Sequence, residues 1–392
     1  MDFSFSADDE AFRARARSWL AERLEGPDAP FADLRGARTL HLPDRRRAWE
    51  RELGSGGWIG LGWGDPGWGG GSLTQEVVWA EEYARARAPM SLGVVGEHLL
   101  APTLLRHGTE AQRQRFLPPI ASGEEIWCQG YSEPGAGSDL ASVRTTAVAE
   151  DGHWLITGQK TWTSLSQWSD WCFVLARTEP GSHRHHGLSL LLLPMDQPGR
   201  IEVRPIRQLD GDSEFSEVFF DGARAEQVLG APGDGWQVAM TLLSFERGAG
   251  MLGRQIGYAR ELDTVLAAAA RTGADRDPVL RDRLTRQWAD LHTMRCNALR
   301  TLGTAEPGTA SVAKLLWGGW HQRLGELAVQ VLGPVGAVGP GPHSADSYAL
   351  TDAQHLLLFS RADTIYGGSD QIQRNLIAER VLGLPREPRP AA

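Results

Sequence analysis

Residues 242–251 read LLSFERGAGM, where a charged pair, Glu246 with Arg247, interrupts an apolar and small-residue run. No other ionisable side chain occurs between Gly235 and Gly253. An isolated buried carboxylate is costly unless it is paired, protonated or used. At helical spacing Leu243, Glu246 and the Ala249–Gly250 pair fall on one stripe, so the carboxylate projects from an apolar face. Burial there raises its pKa and suits it to proton abstraction near neutrality, whereas an ion pair with Arg247 is the purely structural alternative.

A second candidate is SEPGAGSD, Ser132 to Asp139. Its proline and glycines turn the chain tightly. Such a segment is either an ordinary β turn or a concave nest of backbone N–H donors for an anion, with the Ser138 hydroxyl added. Trp162, in ITGQKTWTS, reads on its own as a core aromatic of a hairpin. The run Ser182-His183-Arg184-His185-His186 lacks a nearby acid or cysteine and reads as a hydrophilic loop, so no metal site is expected. Asp363 and Asp370 flank a turn and read as capping or turn residues.

Three blocks must position these residues. To about residue 122 the apolar spacing is helical, broken by LGWGDPGWGGG, whose tryptophans are expected to pack under a loop. From 123 to 233 the period is that of strands, with a tight hairpin expected at Asp151-Gly152. From 234 to 392 long helical segments return in series, as in an antiparallel bundle. The expected fold is α+β: an N-terminal helical domain (1–122), a middle antiparallel β domain (123–233) and a C-terminal four-helix bundle (234–392).

The chain has 392 residues, with 40 basic and 49 acidic side chains and a net charge of -9. With no basic run interleaved with aromatics, nucleic acid is not an expected partner. The longest apolar run, GLSLLLLPM, is too short to span a bilayer, so no membrane insertion is expected. The three cysteines, Cys128, Cys172 and Cys296, lack metal-ligand spacing and point to a reducing cytoplasm rather than a disulfide framework.

Four segments resemble, in order, the acyl-CoA dehydrogenase family: GTEAQRQRFLPPIASGEEIWCQGYSEPGAGSDLASVRTTA, ITGQKTWTSLSQWSD, LLSFERGAG and IYGGSDQIQRNLIAERVLGLPR. Together they span most of the chain. The pattern WCQGYSEPGAGSDLASVR, with glycine at 367 and the ending ERVLGLPR, is most similar to an actinobacterial branch that includes desaturases of steroid side-chain CoA thioesters.

That resemblance implies an FAD-dependent α,β-desaturation of an acyl-CoA thioester, with proton abstraction by a carboxylate and hydride transfer to flavin. It implies Gln129, Tyr131, Ser132, Gly137 and Ser138 along the flavin and its phosphates, and Trp162 and Ser164 at the ring. Arg271, Gln330, Ser369 and Gln371 are implied at the adenine end, partly across a subunit boundary. Many members carry the base in a Tyr-Glu-Gly turn; here that turn reads Tyr366-Gly367-Gly368, and the alternative family position for the base is Glu246. Gly367 is then expected to offer its N–H to the thioester carbonyl. Ser138, Leu243, Arg247 and Gly368 are expected at the substrate, with Arg247 fixing the helix and local field. Implied partners are an electron-transferring flavoprotein and further subunits, identical or of a second type. The alternatives are a flavin-dependent monooxygenase on the same scaffold, a desaturase of a carrier-protein thioester, and a non-catalytic assembly partner.

Overall fold

The computed structural model describes residues 4–37, 42–65, 67–245, 250–301, 308–340 and 349–386. Five helices form the first layer: α1 (Ala7–Leu24), α2 (Pro43–Ser55), α3 (Leu73–Arg85), α4 (Ala101–His107) and α5 (Glu110–Ala121). Three of them start where the sequence supplies reciprocal caps. Ser6, Ser72 and Thr109 each accept a backbone N–H of the first turn, and the side chains of Asp9, Gln75 and Gln112 reach back to the cap backbone. Leu20, Leu24, Leu34, Trp49 and Val78 make the core of this layer. In the glycine-rich break, Trp63 is buried under the loop as expected, its indole N–H donating to the Glu97 carbonyl at 2.9 Å.

The middle layer is one sheet of eight strands: β1 (Trp127–Gly130), β2 (Thr146–Glu150), β3 (His153–Ser164), β4 (Trp171–Arg177), β5 (Leu188–Pro194), β6 (Ile201–Ile206), β7 (Phe215–Ala225) and β8 (Gln227–Leu229). Its order is β6-β7-β3-β2-β4-β5-β8, with β1 joined to β4. The β2–β3 hairpin turns at Asp151 and Gly152, both left-handed (φ 49° and 79°), as a two-residue turn requires. The sheet is mostly antiparallel, as expected, with two exceptions: β1 pairs with β4 in parallel, and β2 touches β4 in the same sense at Thr146–Arg177. The reason is the connection. β1 arrives directly from α5, and forty residues, β2 and β3 among them, separate it from β4, so no tight hairpin constrains that pair. This register places Cys128 opposite Cys172; both are free thiols without solvent contact, and burial pushes the Cys172 thiol up.

Beyond the sheet lie α6 (Gly235–Phe245), α7 (Gly250–Thr272), α8 (Pro278–Thr301), α9 (Thr309–Gln330), α10 (Asp352–Phe359) and α11 (Asp370–Leu376). The bundle core takes Leu262 and Val265 from α7, Leu284 and Met294 from α8, Trp320 and Leu324 from α9, and Leu356 from α10. α7 is seated against the first layer. A methyl group on Gly253 would lie 2.7 Å from the Ala80 carbonyl oxygen, so glycine permits the close approach of α7 to α3. Nearby, Arg13 of α1 and Arg295 of α8 clasp Glu81 at 2.9 and 2.7 Å. Burial works against the Glu81 charge, but these guanidiniums prevail and hold its carboxyl below the usual range. Among the described residues, no helix is long and apolar enough to cross a membrane.

Candidate active site

The first group of site residues forms where β1 leaves the sheet. Gln129 is half-buried opposite Phe173, and the Tyr131 ring meets Phe173 edge-on at 5.8 Å. Ser132 follows, half-buried, and its carbonyl accepts the Thr161 N–H at 2.9 Å, tying this turn to β3. Glu133 and Ala136 exchange both backbone hydrogen bonds at 3.0 Å, which closes the Pro134–Gly135 turn. Gly137 and Ser138 stand exposed beyond it. Among the described residues no acceptor takes either N–H, and no atom lies within 4 Å of where a Gly137 side chain would start. Free donors over open space are what a phosphate nest requires.

This turn is held from below by two residues that sequence reasoning missed. The Lys160 side chain is fully buried, and its ammonium donates to Glu133 at 2.8 Å and to the carbonyls of Tyr131 and Leu175 at 3.0 and 2.8 Å. The Glu133 carboxylate also accepts the N–H groups of Arg144 and Thr145 at 2.7 and 2.9 Å. Burial draws Lys160 down to about 8. For Glu133 burial works the other way, but the Lys160 charge and the N–H donors outweigh it and keep the carboxyl below its usual range. A signal existed: two-residue alternation along ITGQK puts Lys160 on the inward face with Ile156.

Trp162 follows on β3. The β3–β7 register slips between Lys160 and Thr163, and within that bulge Trp162 adopts a left-handed backbone (φ 56°). Its indole is 58 % exposed, edge-on to Phe215 at 6.0 Å. A core aromatic it is not. The sheet spends backbone strain to aim a large ring outward. Ser164, half-buried, lies two residues further on, opposite Phe215.

The second group lies before α11. Gly367 and Gly368 are both left-handed (φ 62° and 80°), and the buried Gln373 amide donates to their carbonyls at 3.0 and 3.2 Å. Among the described residues the N–H groups of both glycines meet no acceptor. Ser369 caps α11, its hydroxyl accepting the Ile372 N–H, and Gln371 is exposed in the first turn. Tyr366 donates its hydroxyl to Asp363 at 2.6 Å. Asp363 sits in a turn as expected, yet its side chain is no exposed cap: it is 1 % exposed and also meets His321. No hydrogen bond among the described residues joins this group to the β1–β3 group.

Arg271 and Gln330 end α7 and α9, two helices fastened at that corner by Thr272 Oγ1 donating to the Val331 carbonyl at 2.7 Å. Both are exposed, and Gln330 accepts from Arg283. Arg271 lines a cavity of about 550 Å³ with Asp210, Glu214, Glu261 and His355. Leu243 is half-buried on α6 against the apolar core between the first layer and the sheet. Glu246 and Arg247 lie outside the described residues. The histidine run is a loop, with His185 stacked on Trp236 at 4.5 Å. Ligand-type side chains gather elsewhere, at Asp210, Asp212 and His355, within 4.8 Å of one another.

Comparison with known proteins covers the whole arrangement. Three family models match in chain order: acyl-CoA dehydrogenase N-terminal domain (residues 6–124), middle domain (128–223) and C-terminal domain (233–382). The chain is 54 % identical to acyl-CoA dehydrogenase IpdE1 of Mycobacterium tuberculosis, over 97 % of this chain and 99 % of that protein. It is 52 % identical to IpdE1 of Mycolicibacterium smegmatis, over 96 % and 98 %. Among solved structures, the Tcur3481-Tcur3483 steroid ACAD matches with a TM-score of 0.82 at 29 % identity, over 99 % of this chain and 100 % of that one. The ChsE4-ChsE5 complex from Mycobacterium tuberculosis matches with a TM-score of 0.79 at 26 % identity, over 99 % and 100 %.

Proposed function

The chain belongs to the acyl-CoA dehydrogenase family, and from that premise we propose that it binds FAD and removes two hydrogens from the α and β carbons of an acyl-CoA thioester, with Glu246 as the base. The observation that carries this reading is the turn at 366–368. It offers backbone N–H groups and no carboxylate, so a base has to come from another element, and Glu246 is the acid in the LLSFERGAG segment.

The residues of the β1–β3 group fit the cofactor: unclaimed N–H donors at Gly137 and Ser138 suit its phosphates, and the outward indole of Trp162 suits a planar ring system. Gln129, Tyr131, Ser132 and Ser164 are assigned to the flavin beside them, while Arg271, Gln330, Ser369 and Gln371 are assigned to the adenine end, partly across a subunit boundary. When bound, FAD supplies the hydride acceptor. The Glu246 carboxylate takes the α proton, for which a raised pKa is an advantage. The Gly367 N–H donates to the thioester carbonyl oxygen as negative charge develops there. Ser138, Leu243, Arg247 and Gly368 are assigned to the substrate.

A fused-ring acyl group of steroid type is the proposed substrate class, supported by the likeness to the Tcur3481-Tcur3483 steroid ACAD. That structure and ChsE4-ChsE5 are named as pairs of chains, which supports an oligomer here; in a mixed one this chain would be the base-supplying subunit. An electron-transferring flavoprotein is the proposed oxidant and the cytoplasm the proposed location. Domain boundaries are proposed near 122 and 233, in the links between α5 and β1 and between β8 and α6.

The test is anaerobic mixing of the flavin-loaded protein with a panel of acyl-CoA and carrier-bound thioesters, followed by flavin absorbance. Bleaching is expected with the native chain, and Glu246→Gln is expected to keep its flavin while bleaching slows about 10²- to 10⁴-fold. Near-native bleaching by that variant removes the base assignment, and absence of bleaching by every thioester removes the reaction.

A further inference from the structure

The two left-handed glycines of the 366–368 turn carry no side chains to lock it, so its position depends on the groups that fasten it on either side. One fastening is the Gln373 amide. The other runs through Tyr366. Its hydroxyl donates to one oxygen of Asp363 at 2.6 Å, and the other oxygen of Asp363 lies 2.5 Å from His321 Nδ1. His321 Nε2 lies 2.9 Å from Glu261 Oε2 on α7. The His321 side chain is 4 % exposed, so water does not substitute for these partners.

Both imidazole nitrogens therefore face carboxylates, and only the imidazolium carries two N–H donors. A neutral ring would present a lone pair to one of the two acids. The other charged and titratable groups packed around the ring are few. From α7 come Tyr258, its ring 4.8 Å from that of His321, and Arg254, 5.9 Å from the Trp317 ring. From α9 itself comes Lys314, whose ammonium sits 4.3 Å from the Trp317 ring and 5.1 Å from the Tyr366 ring and donates to the Asp363 carbonyl. Burial works against the imidazolium, yet Asp363 and Glu261 prevail and raise His321 to about 9.

We propose that His321 is a positioning residue: as an imidazolium bridging Glu261 and Asp363, it fixes Tyr366 and thereby the place of the Gly367 N–H relative to α7 and α9. The inference rests on the reading of Gly367 as the carbonyl-binding donor. Loss of the His321 proton turns a lone pair toward one of the two carboxylates, which breaks the bridge between α7 and the turn and lets the turn shift, and displacement of a catalytic donor by about 1 Å costs on the order of 10²-fold in rate.

The experiment compares native holoenzyme with His321→Leu, which removes both donors, and His321→Asn, which keeps one near the Nδ1 position. Expected for His321→Leu are a flavin content and KM close to native, flavin reduction by acyl-CoA slowed about 30-fold or more, and no alkaline fall in rate, whereas the native enzyme is expected to slow above about pH 9. His321→Asn, which keeps one donor but not the link to Glu261, is expected to recover only part of the rate and to show no alkaline fall, since that donor is held at every pH. Reduction by His321→Leu at near-native rate with the alkaline fall intact overturns the proposal. A second readout is independent of turnover: the difference in melting temperature between native protein and His321→Asn. A group raised in the folded state stabilises fully below its unfolded value and loses that contribution as pH rises through its folded value. The difference is therefore constant below about pH 6.5 and shrinks toward zero through pH 9. A difference unchanged between pH 7 and 10 also overturns the proposal, whereas a native protein that no thioester bleaches, with the melting difference behaving as expected, overturns only the reaction assigned above.

Discussion

Lys160 Nζ lies 2.8 Å from Glu133 Oε1, and both side chains are shut away beneath the exposed turn that carries Gly137 and Ser138. The pair links β3 to the turn after β1, because the same ammonium holds the Tyr131 carbonyl and the same carboxylate holds two N–H groups ahead of β2. Breaking one partner of such a pair leaves an uncompensated buried charge, at a cost of about 3–5 kcal/mol. Lys160→Met is expected to lower stability by that amount and to weaken FAD retention, read by denaturant unfolding and by flavin content after gel filtration. Glu133→Gln with Lys160→Met together is expected to recover part of the stability but not the retention, since the turn stays unfastened. A double variant as unstable as the sum of the single ones would show that the two residues act separately.

Trp162 combines a left-handed backbone with a solvent-facing ring, a pairing that packing alone gives no reason to keep. Trp162→Gly relieves a backbone penalty of about 1–2 kcal/mol and removes little buried surface. The variant is expected to melt at or slightly above the native temperature. Its FAD affinity is expected to fall about tenfold, the worth of one aromatic contact, measured by quenching of flavin fluorescence. A clear drop in melting temperature with unchanged affinity would make Trp162 a structural residue and remove it from the cofactor site.

What the sequence disclosed and what it withheld divide by separation along the chain. The Asp151-Gly152 hairpin and the helical, strand, helical order depend on spacings of a few residues, and these were legible. The outward aim of Trp162 was not, because it follows from a register slip between β3 and β7, strands that meet only in the folded sheet. Lys160 finds Glu133 across 27 positions, and His321 finds Asp363 across 42 and Glu261 across 60. Such pairs are set by topology. Their sequence signal was limited to a charged residue on an inward face, which identifies a residue in need of a partner without naming the partner. Glu50, on α2, is of the same kind.

The Glu50 side chain is fully buried, accepting the Leu92 N–H at 2.6 Å and the Ser91 hydroxyl at 3.0 Å. Burial raises its carboxyl to about 7, the two donors oppose that rise, and Glu97 adds to it. The folded state thus holds a proton that the unfolded state releases near 4.5, and stability falls as pH climbs from about 4.5 to about 7. Glu50→Gln keeps an oxygen for the Leu92 N–H and has no proton to lose. The variant and the native protein are expected to be equally stable near pH 4.5, and the variant more stable by up to about 3 kcal/mol above pH 7. Urea unfolding at the two pH values measures this. A variant less stable than native at pH 8 would mean that the ionised carboxylate is a net contributor where it lies, and that its hydrogen bonds outweigh the cost of burying the charge.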